Sequence, residues 1–214
     1  MRINEAGRSM VEMIGVLAVV GILSTGGITG YSKAMTKYRI NKTVDMIMQI
    51  SSNIRTLYAS QRTYTGLDCY TDISTEGAVS TGCAALKKAH VVPGELWESD
   101  TDIKNPLGGT IQIGTSNKKA SGDSKAFVIL LNRLPKEACI DLATNDWGTG
   151  STSGLVAVSI NSDLTSVYQG CAGSTDTQAA VACPSGTVVS VPMPLVIASE
   201  ACKNNANYIQ VKLY

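Results

Sequence analysis

An α+β fold, one very long N-terminal helix with an antiparallel sheet as its head, follows from three features of the sequence. The first is a run of twenty uncharged residues from Met13 to Ser32 that passes without a break into a helical pattern, with no proline before Pro93. The second is a set of short apolar or alternating runs further on, separated by Gly, Pro, Asn and Ser. The third is the distribution of cysteine: Cys69, Cys83, Cys139, Cys171, Cys183 and Cys202 all lie beyond the helix.

The helix comes first in the chain. Beyond the uncharged run, Val44, Ile47, Ser51, Ile54 and Tyr58 follow steps of three and four residues, with Met48 and Leu57 flanking the stripe. A single helix from about Ser9 to about Gln61 is the economical reading, and at about 1.5 Å per residue it is about 80 Å long. Its first half is long enough to cross a bilayer, and its outer half lays an apolar stripe on whatever follows. A cleaved secretory signal with Arg2 and Arg8 as its basic end is the alternative, but the helical pattern does not stop where such a signal is cut. Gly26, Gly27 and Gly30 soften the span or allow close helix packing, each weakening the helix by about 1 kcal/mol relative to Ala.

The head follows. Thr63 to Thr81 is polar and turn-rich, and Cys83 precedes a short helical stretch, AALKKAH, ended near Val92-Pro93-Gly94. Cys69 and Cys83 are placed to close a small loop, although six cysteines leave many connectivities open. NPLGG marks a turn before an alternating strand, Thr110 to Ile113. AFVILLN, Ala126 to Asn132, is a continuous apolar run suited to a central strand. LPKEACIDLATNDW is a helix with Pro135 at its first position, Glu137 near its positive end and Cys139, Leu142 and Ala143 on one inward face. LVAVSI, Leu155 to Ile160, is another strand, and YIQVKLY, Tyr208 to Tyr214, alternates like a strand that closes the sheet. Such an order implies an antiparallel sheet packed on the outer half of the long helix.

Composition bounds the function. With 214 residues and a net charge of +1, no nucleic-acid partner is expected. Cysteines without C-x-x-C spacing or a neighbouring histidine read as disulfides in an oxidising compartment. Lys33, Lys37, Arg39 and Lys42 make the far side of the span at least as basic as the near side, so charge does not orient it. Paired cysteines do: the C-terminal part lies outside and the N-terminus is cytoplasmic.

Catalysis has little support. His90 is the only histidine and sits beside lysines, and no P-loop, H-E-x-x-H or paired-cysteine metal motif is present, so neither cofactor nor metal is expected. Glu98, Asp100 and Asp102 cluster but lack the spacing of a calcium loop, and read as a solvated turn. Trp97 and Trp147 read as packing residues, with a sugar platform as the alternative. A secreted enzyme held by an uncleaved signal would need an active site that the sequence does not offer.

The leader carries a resemblance. MRINEAG, four further residues, Glu12 and an apolar run of about twenty residues opening a long helix resemble the class III signal of type IV prepilins and pseudopilins. The resemblance implies that a prepilin peptidase cuts between Gly7 and Arg8 and methylates the new amine, making Glu12 the fifth mature residue. The family usually has Phe or another apolar residue where this chain has Arg8. The residues agree on Glu12, because a carboxylate in hydrocarbon costs several kcal/mol unless paired. Its available partner is an N-terminal amine of its own or a neighbouring subunit; the alternative is a Glu resting among headgroups near Arg8. The head resembles type IVb pilins, including those of conjugative-plasmid thin pili, in NPLGG before a strand, LPKEACIDL carrying a cysteine, and Cys202 before the last strand, although type IVb leaders are usually longer. This implies a Cys139 to Cys202 bridge with Cys171 and Cys183 pairing inside it.

The resemblance gives the chain the form of a type IV pilin: a leader (1–7), a transmembrane and filament-core half-helix (8–32), an amphipathic half-helix (33–62) and a disulfide-stapled head (63–214). The expected function is structural, a subunit held in the inner membrane as a precursor and then assembled with copies of itself into an extracellular filament for adhesion, motility or conjugation. The implied partners are the peptidase and the inner-membrane assembly machinery. A periplasmic pseudopilin of a type II secretion system and a minor tip adhesin share the same N-terminus.

Overall fold

The computed structural model describes residues 5–69, 82–116, 124–147, 154–160 and 192–214, with side chains from Met10 onward. Helix α1 is continuous over Glu5–Tyr58, starting somewhat earlier and ending slightly before the expected limits. By its internal contacts the chain divides into two compact units, Met1–Arg39 and Ile40–Tyr214.

The first unit is helix throughout its described residues. From Met10 to Tyr31 its apolar side chains are all exposed, Val11 and Ile22 at 73% and 74%. The polar side chains of the run satisfy themselves. The hydroxyls of Ser24, Thr25 and Thr29 donate to carbonyls one turn back, at 2.7 Å to Val20, 2.9 Å to Ile22 and 3.0 Å to Gly26. Such back-bonding removes the need for a water partner, which hydrocarbon cannot supply. The helix runs through Gly26, Gly27 and Gly30, and beyond the helix's own adjacent backbone a methyl group at any of them would meet no atom of the described residues.

The second unit buries its core between the end of α1 and the sheet. Strands β1 (Ile103–Lys104), β2 (Thr110–Ser116), β3 (Ala126–Leu134), β4 (Leu155–Ile160) and β5 (Asn207–Leu213) lie in the order β1-β2-β3-β5-β4, every neighbouring pair antiparallel. Helix α2 (Gly82–Lys88), a 3-10 turn (Gly94–Leu96), α3 (Lys136–Thr144) and α4 (Leu195–Ala201) complete it. Ile111, Ile113, Phe127, Ile129, Leu131, Ile209 and Val211 form the sheet side of the core. The other face of the sheet is also closed, with Val128, Leu130, Gln210 and Lys212 buried. That two-sided burial explains why β3 reads as an unbroken apolar run.

The structure corrects several expectations. The stripe of α1 is centred on Ile40, Thr43, Ile47, Ile50 and Ile54, all buried. Val44 and Tyr58 are only partly buried, while Met48 and Leu57 are 44% and 41% exposed. Apolar residues take up about half the circumference of this part of the helix, from Met46 and Ile50 through Ile47 and Ile40 to Val44 and Met48, so periodicity marks a broad face and the sheet chooses its centre. β5 does not close the sheet but lies between β3 and β4, leaving β4 at the edge. Since β3 and β4 both run antiparallel to β5, they are parallel to one another and α3 is their crossover, so inserting β5 makes every ladder antiparallel. Pro135 is the residue preceding α3, with φ −58° and ψ 153°, not its first helical position. α2 ends at Lys88, and His90 follows with φ 54°. β1, the 3-10 turn and α4 were not expected from pattern, each being too short to show a period.

Candidate assembly site

Glu12 is exposed on α1, on one helical face with Gly15, Val16, Val19 and Val20. These positions follow a three- and four-residue rhythm, so the carboxylate heads an apolar ridge in which Gly15 leaves a notch. Among the described residues Glu12 has no ion-pair or hydrogen-bond partner, and the next charge along the helix is Lys33. The carboxylate is therefore available to a cation brought from outside this described surface. Gly7 and Arg8 lie in the opening turns of α1.

The head is stapled at two places. Cys69 is bonded to Cys83, and Cys139 to Cys202. Cys69 also pairs with β2 through its backbone, its N–H donating to Ile113 O at 2.7 Å and its carbonyl accepting from Ile113 N at 2.9 Å. The chain leaving α1 is thus tied to the sheet by hydrogen bonds and to α2 by sulfur. Close by, Asp68 Oδ1 accepts from Thr115 N at 2.7 Å and Tyr64 O accepts from Thr115 Oγ1 at 2.7 Å. The second bond fastens α3 to the end of α4. The expected pairing of Cys171 with Cys183 lies outside the described residues.

NPLGG forms a clasp that sequence reading identified only as a turn. Buried Asn105 accepts from Leu107 N at 2.9 Å and Gly109 N at 3.0 Å through Oδ1, and donates from Nδ2 to Asn132 O at 3.1 Å. Asn132 answers from β3: its Oδ1 accepts from Thr110 N at 2.7 Å, and its Nδ2 donates to Thr110 Oγ1 at 2.7 Å. A bulge between Leu131 and Leu134, with Arg133 at φ 54°, lies where Asn132 turns out of the β3–β5 ladder. Gly109 has no room for a side chain, since a Cβ would overlap the Asn132 carbonyl oxygen. The signal in the sequence was an Asn before Pro together with two glycines.

The residues weighed for chemistry are dispersed. His90 sits on an exposed turn, its Nδ1 3.1 Å from Lys87 O. The three acids face different partners: Glu98 pairs with Lys104, Asp100 accepts from Lys87 Nζ at 2.7 Å, and Asp102 accepts from Ser99 Oγ at 2.8 Å. The Lys87 hydrogen bond holds the Asp100 carboxyl below its ordinary value. Among the described residues no three His, Cys, Asp or Glu side chains converge as a metal site. Trp147 is buried and donates to Leu142 O at 3.0 Å, which makes it a packing residue. Trp97 is half-buried, with Lys87 Nζ 5.5 Å from the centre of its ring.

A family model described as Bundlin matches residues 32–193. The chain is 27% identical over 163 residues to the major structural subunit of bundle-forming pilus of Escherichia coli O111:H-, covering 76% of each chain. It is 26% identical to the toxin coregulated pilin of Vibrio cholerae, covering 66% of this chain and 58% of that one. Among solved structures, the type IVb pilin from Salmonella typhi is similar at 19% identity and a TM-score of 0.47, covering 80% of this chain and 97% of the other.

Proposed function

Since the chain belongs to the Bundlin family, we propose that it is a pilin, the structural subunit of a type IV pilus-like helical filament. The observation that carries this reading is the first half of α1: a helix, uncharged from Met13 to Ser32, whose apolar side chains are exposed all round. Such a surface is stable only in lipid or against other helices like itself. The subunit uses both in turn, the inner membrane before assembly and the filament core after it. Residues 1–7 act as the leader, 8–32 as the span and core segment, 33–62 as the amphipathic half-helix and 63–214 as the head.

In this reading a prepilin peptidase cuts between Gly7 and Arg8 and methylates the amine of Arg8. The inner-membrane machinery then adds the subunit to the filament. Glu12 docks on the N-terminal amine of its neighbour, so that neither charge enters the apolar core alone and the axial register is set. The N-terminus is cytoplasmic and the head lies outside, where its cysteines oxidise. The role is structural rather than catalytic. Both relatives named above are described as pilus subunits, one of them the major one, which favours a major pilin over a pseudopilin or a tip adhesin.

Mass spectrometry of sheared surface filaments tests the proposal. The expected result is this chain as the main component, beginning at a methylated Arg8. An intact Met1, or a cut near Ser24 to Gly27, would overturn it.

A further inference from the structure

Helix α4 turns an apolar face outward. Leu195 and Val196 are 65% and 69% exposed, and Ile197 is exposed beside them. The opposite side is pinned: Met193 and Ala198 are buried, Ala198 N donates to Pro194 O at 3.0 Å, and the Cys139–Cys202 bond fastens the end of the helix to α3. Glu200 shares the outward face with Val196, four residues before it, and has no partner among the described residues. Helix α2 carries a counterpart. Cys83 and Leu86 are buried beneath it, whereas Ala84, Ala85 and Lys88 are exposed, with Ala84 and Lys88 in line along the outward face. Lys87 is taken by Asp100, but Lys88 has no partner among the described residues. The two helices stand at opposite edges of the sheet. Cys69, which is bonded to α2, pairs with β2, and Trp97 pairs with β1; α4 is bonded to α3, which packs on β5 and β4. In the order β1-β2-β3-β5-β4 these are the two ends.

We propose that α4 of one subunit docks on α2 of a second copy of this chain, with Val196 and Ile197 seated over Ala84 and Ala85 and Glu200 paired with Lys88; the inference rests on the filament reading above. Three features favour a second copy as the occupant. The first is charge: each face carries one unpaired charge of opposite sign, placed four residues after an apolar residue. The second is placement, because a contact between unlike patches at opposite edges of a subunit is heterologous and repeats from copy to copy into a filament. The third is size. Three partly exposed side chains offer at most a few hundred Å² of apolar surface, short of the about 800 Å² per partner that a stable two-body interface buries. The contact therefore holds only where other packing already brings copies side by side, which the exposed first half of α1 supplies in a filament. A foreign partner would have to bring the missing area itself.

The test treats sheared native filaments with a carbodiimide, which joins a carboxylate to a touching amine with loss of water. Filaments should give dimers and longer species on a denaturing gel, with a peptide linking Glu200 to Lys88 found by mass spectrometry; the full chain as a monomer in detergent should give neither. The single reversals Glu200→Lys and Lys88→Glu should each lower filament yield about tenfold at unchanged melting temperature, and the double reversal should restore it. Native filaments of this chain without the Glu200–Lys88 link, single reversals that assemble normally, or a double reversal as defective as the singles would each overturn the α4–α2 contact while leaving the filament reading in place. Surface filaments that do not contain this chain would remove the filament reading and the contact together.

Discussion

Replacing Asn105 by Ala removes the centre of the clasp that joins the NPLGG turn to β3. The side chain accepts from the N–H groups of Leu107 and Gly109 and donates to the Asn132 carbonyl. Gly109 is buried and Leu107 half-buried, so one orphaned N–H has no route to water and the other has a partial one. Each unsatisfied buried group costs about 1–3 kcal/mol, and the Leu107 N–H recovers part of that by hydration. A loss of about 2–4 kcal/mol follows, or about 4–16 °C in melting temperature for a unit of this size. The assay is thermal unfolding of the full chain in detergent, followed by near-ultraviolet circular dichroism. Two glycine variants show whether the geometry is right. Gly109→Ala drives a Cβ into the Asn132 carbonyl oxygen, whereas Gly108→Ala, at φ +93°, meets open space and carries only backbone strain. The first should therefore cost more, about 1–3 kcal/mol for overpacking in addition to the weakened clasp, against about 1 kcal/mol. An Asn105→Ala melting temperature within about 2 °C of native, or Gly108→Ala proving the worse glycine variant, would refute the reasoning.

Glu12→Ala should leave melting temperature and membrane insertion unchanged, since the carboxylate is exposed and has no described partner, but abolish filaments in electron micrographs; normal filaments would remove its proposed role. Removing the Cys139–Cys202 bond should cost about 4 kcal/mol and removing Cys69–Cys83 about 3 kcal/mol, from their sequence separations of 63 and 14; urea titrations of the paired alanine variants that reverse this order would show that native-state contacts, not loop closure, dominate. Burial raises the Tyr64 hydroxyl pKa above its usual value against a smaller lowering by Arg55, and raises that of Tyr58 with a further push from Asp68. A raised folded value means stability complete below the ordinary tyrosine range of about 10 and lost as pH climbs through the folded value. The urea midpoint should therefore fall between about pH 9 and pH 11, and fall less in Tyr64→Phe; an equal fall in both proteins would assign the loss to other groups.

Helix α1 was legible because its signal is local and long: an uncharged run joined to a periodic one, with no proline to stop it. β2, β3 and β4 were legible through alternation or continuous apolar character, and α3 through Pro135, Glu137 and the inward face of Cys139 and Leu142. The candidate assembly site was legible for a different reason. A single carboxylate at the head of an uncharged run is chemically costly wherever the chain folds, so Glu12 is marked by composition before any contact is known. The clasp was half legible: Asn105, Pro106 and the glycines announced a turn, but Asn132 stands far along the chain, and nothing in AFVILLN says that its last residue faces back toward that turn.

What only the tertiary structure decided shares one property, dependence on partners remote in sequence. The buried face of α1 is set by where β2, β3 and β5 present Ile113, Ile129 and Val211, and an apolar face covering about half the circumference can be centred on more than one of its residues until that surface is present. β5 pairs on both sides because its two neighbours, β3 and β4, run parallel to each other, a relation that emerges only when α3 has crossed between them. The pairings of Cys69 with Cys83 and of Cys139 with Cys202 needed α2 and α4 in place, and α4 itself is too short to announce. By itself the sequence determined the long helix, α3 and the longer strands, and marked the carboxylate in the uncharged run that calls for a partner. Register, strand order and sulfur pairing are settled by packing, because local propensity contributes tenths of a kcal/mol per residue while burying a large apolar side chain contributes about 1.5–3 kcal/mol.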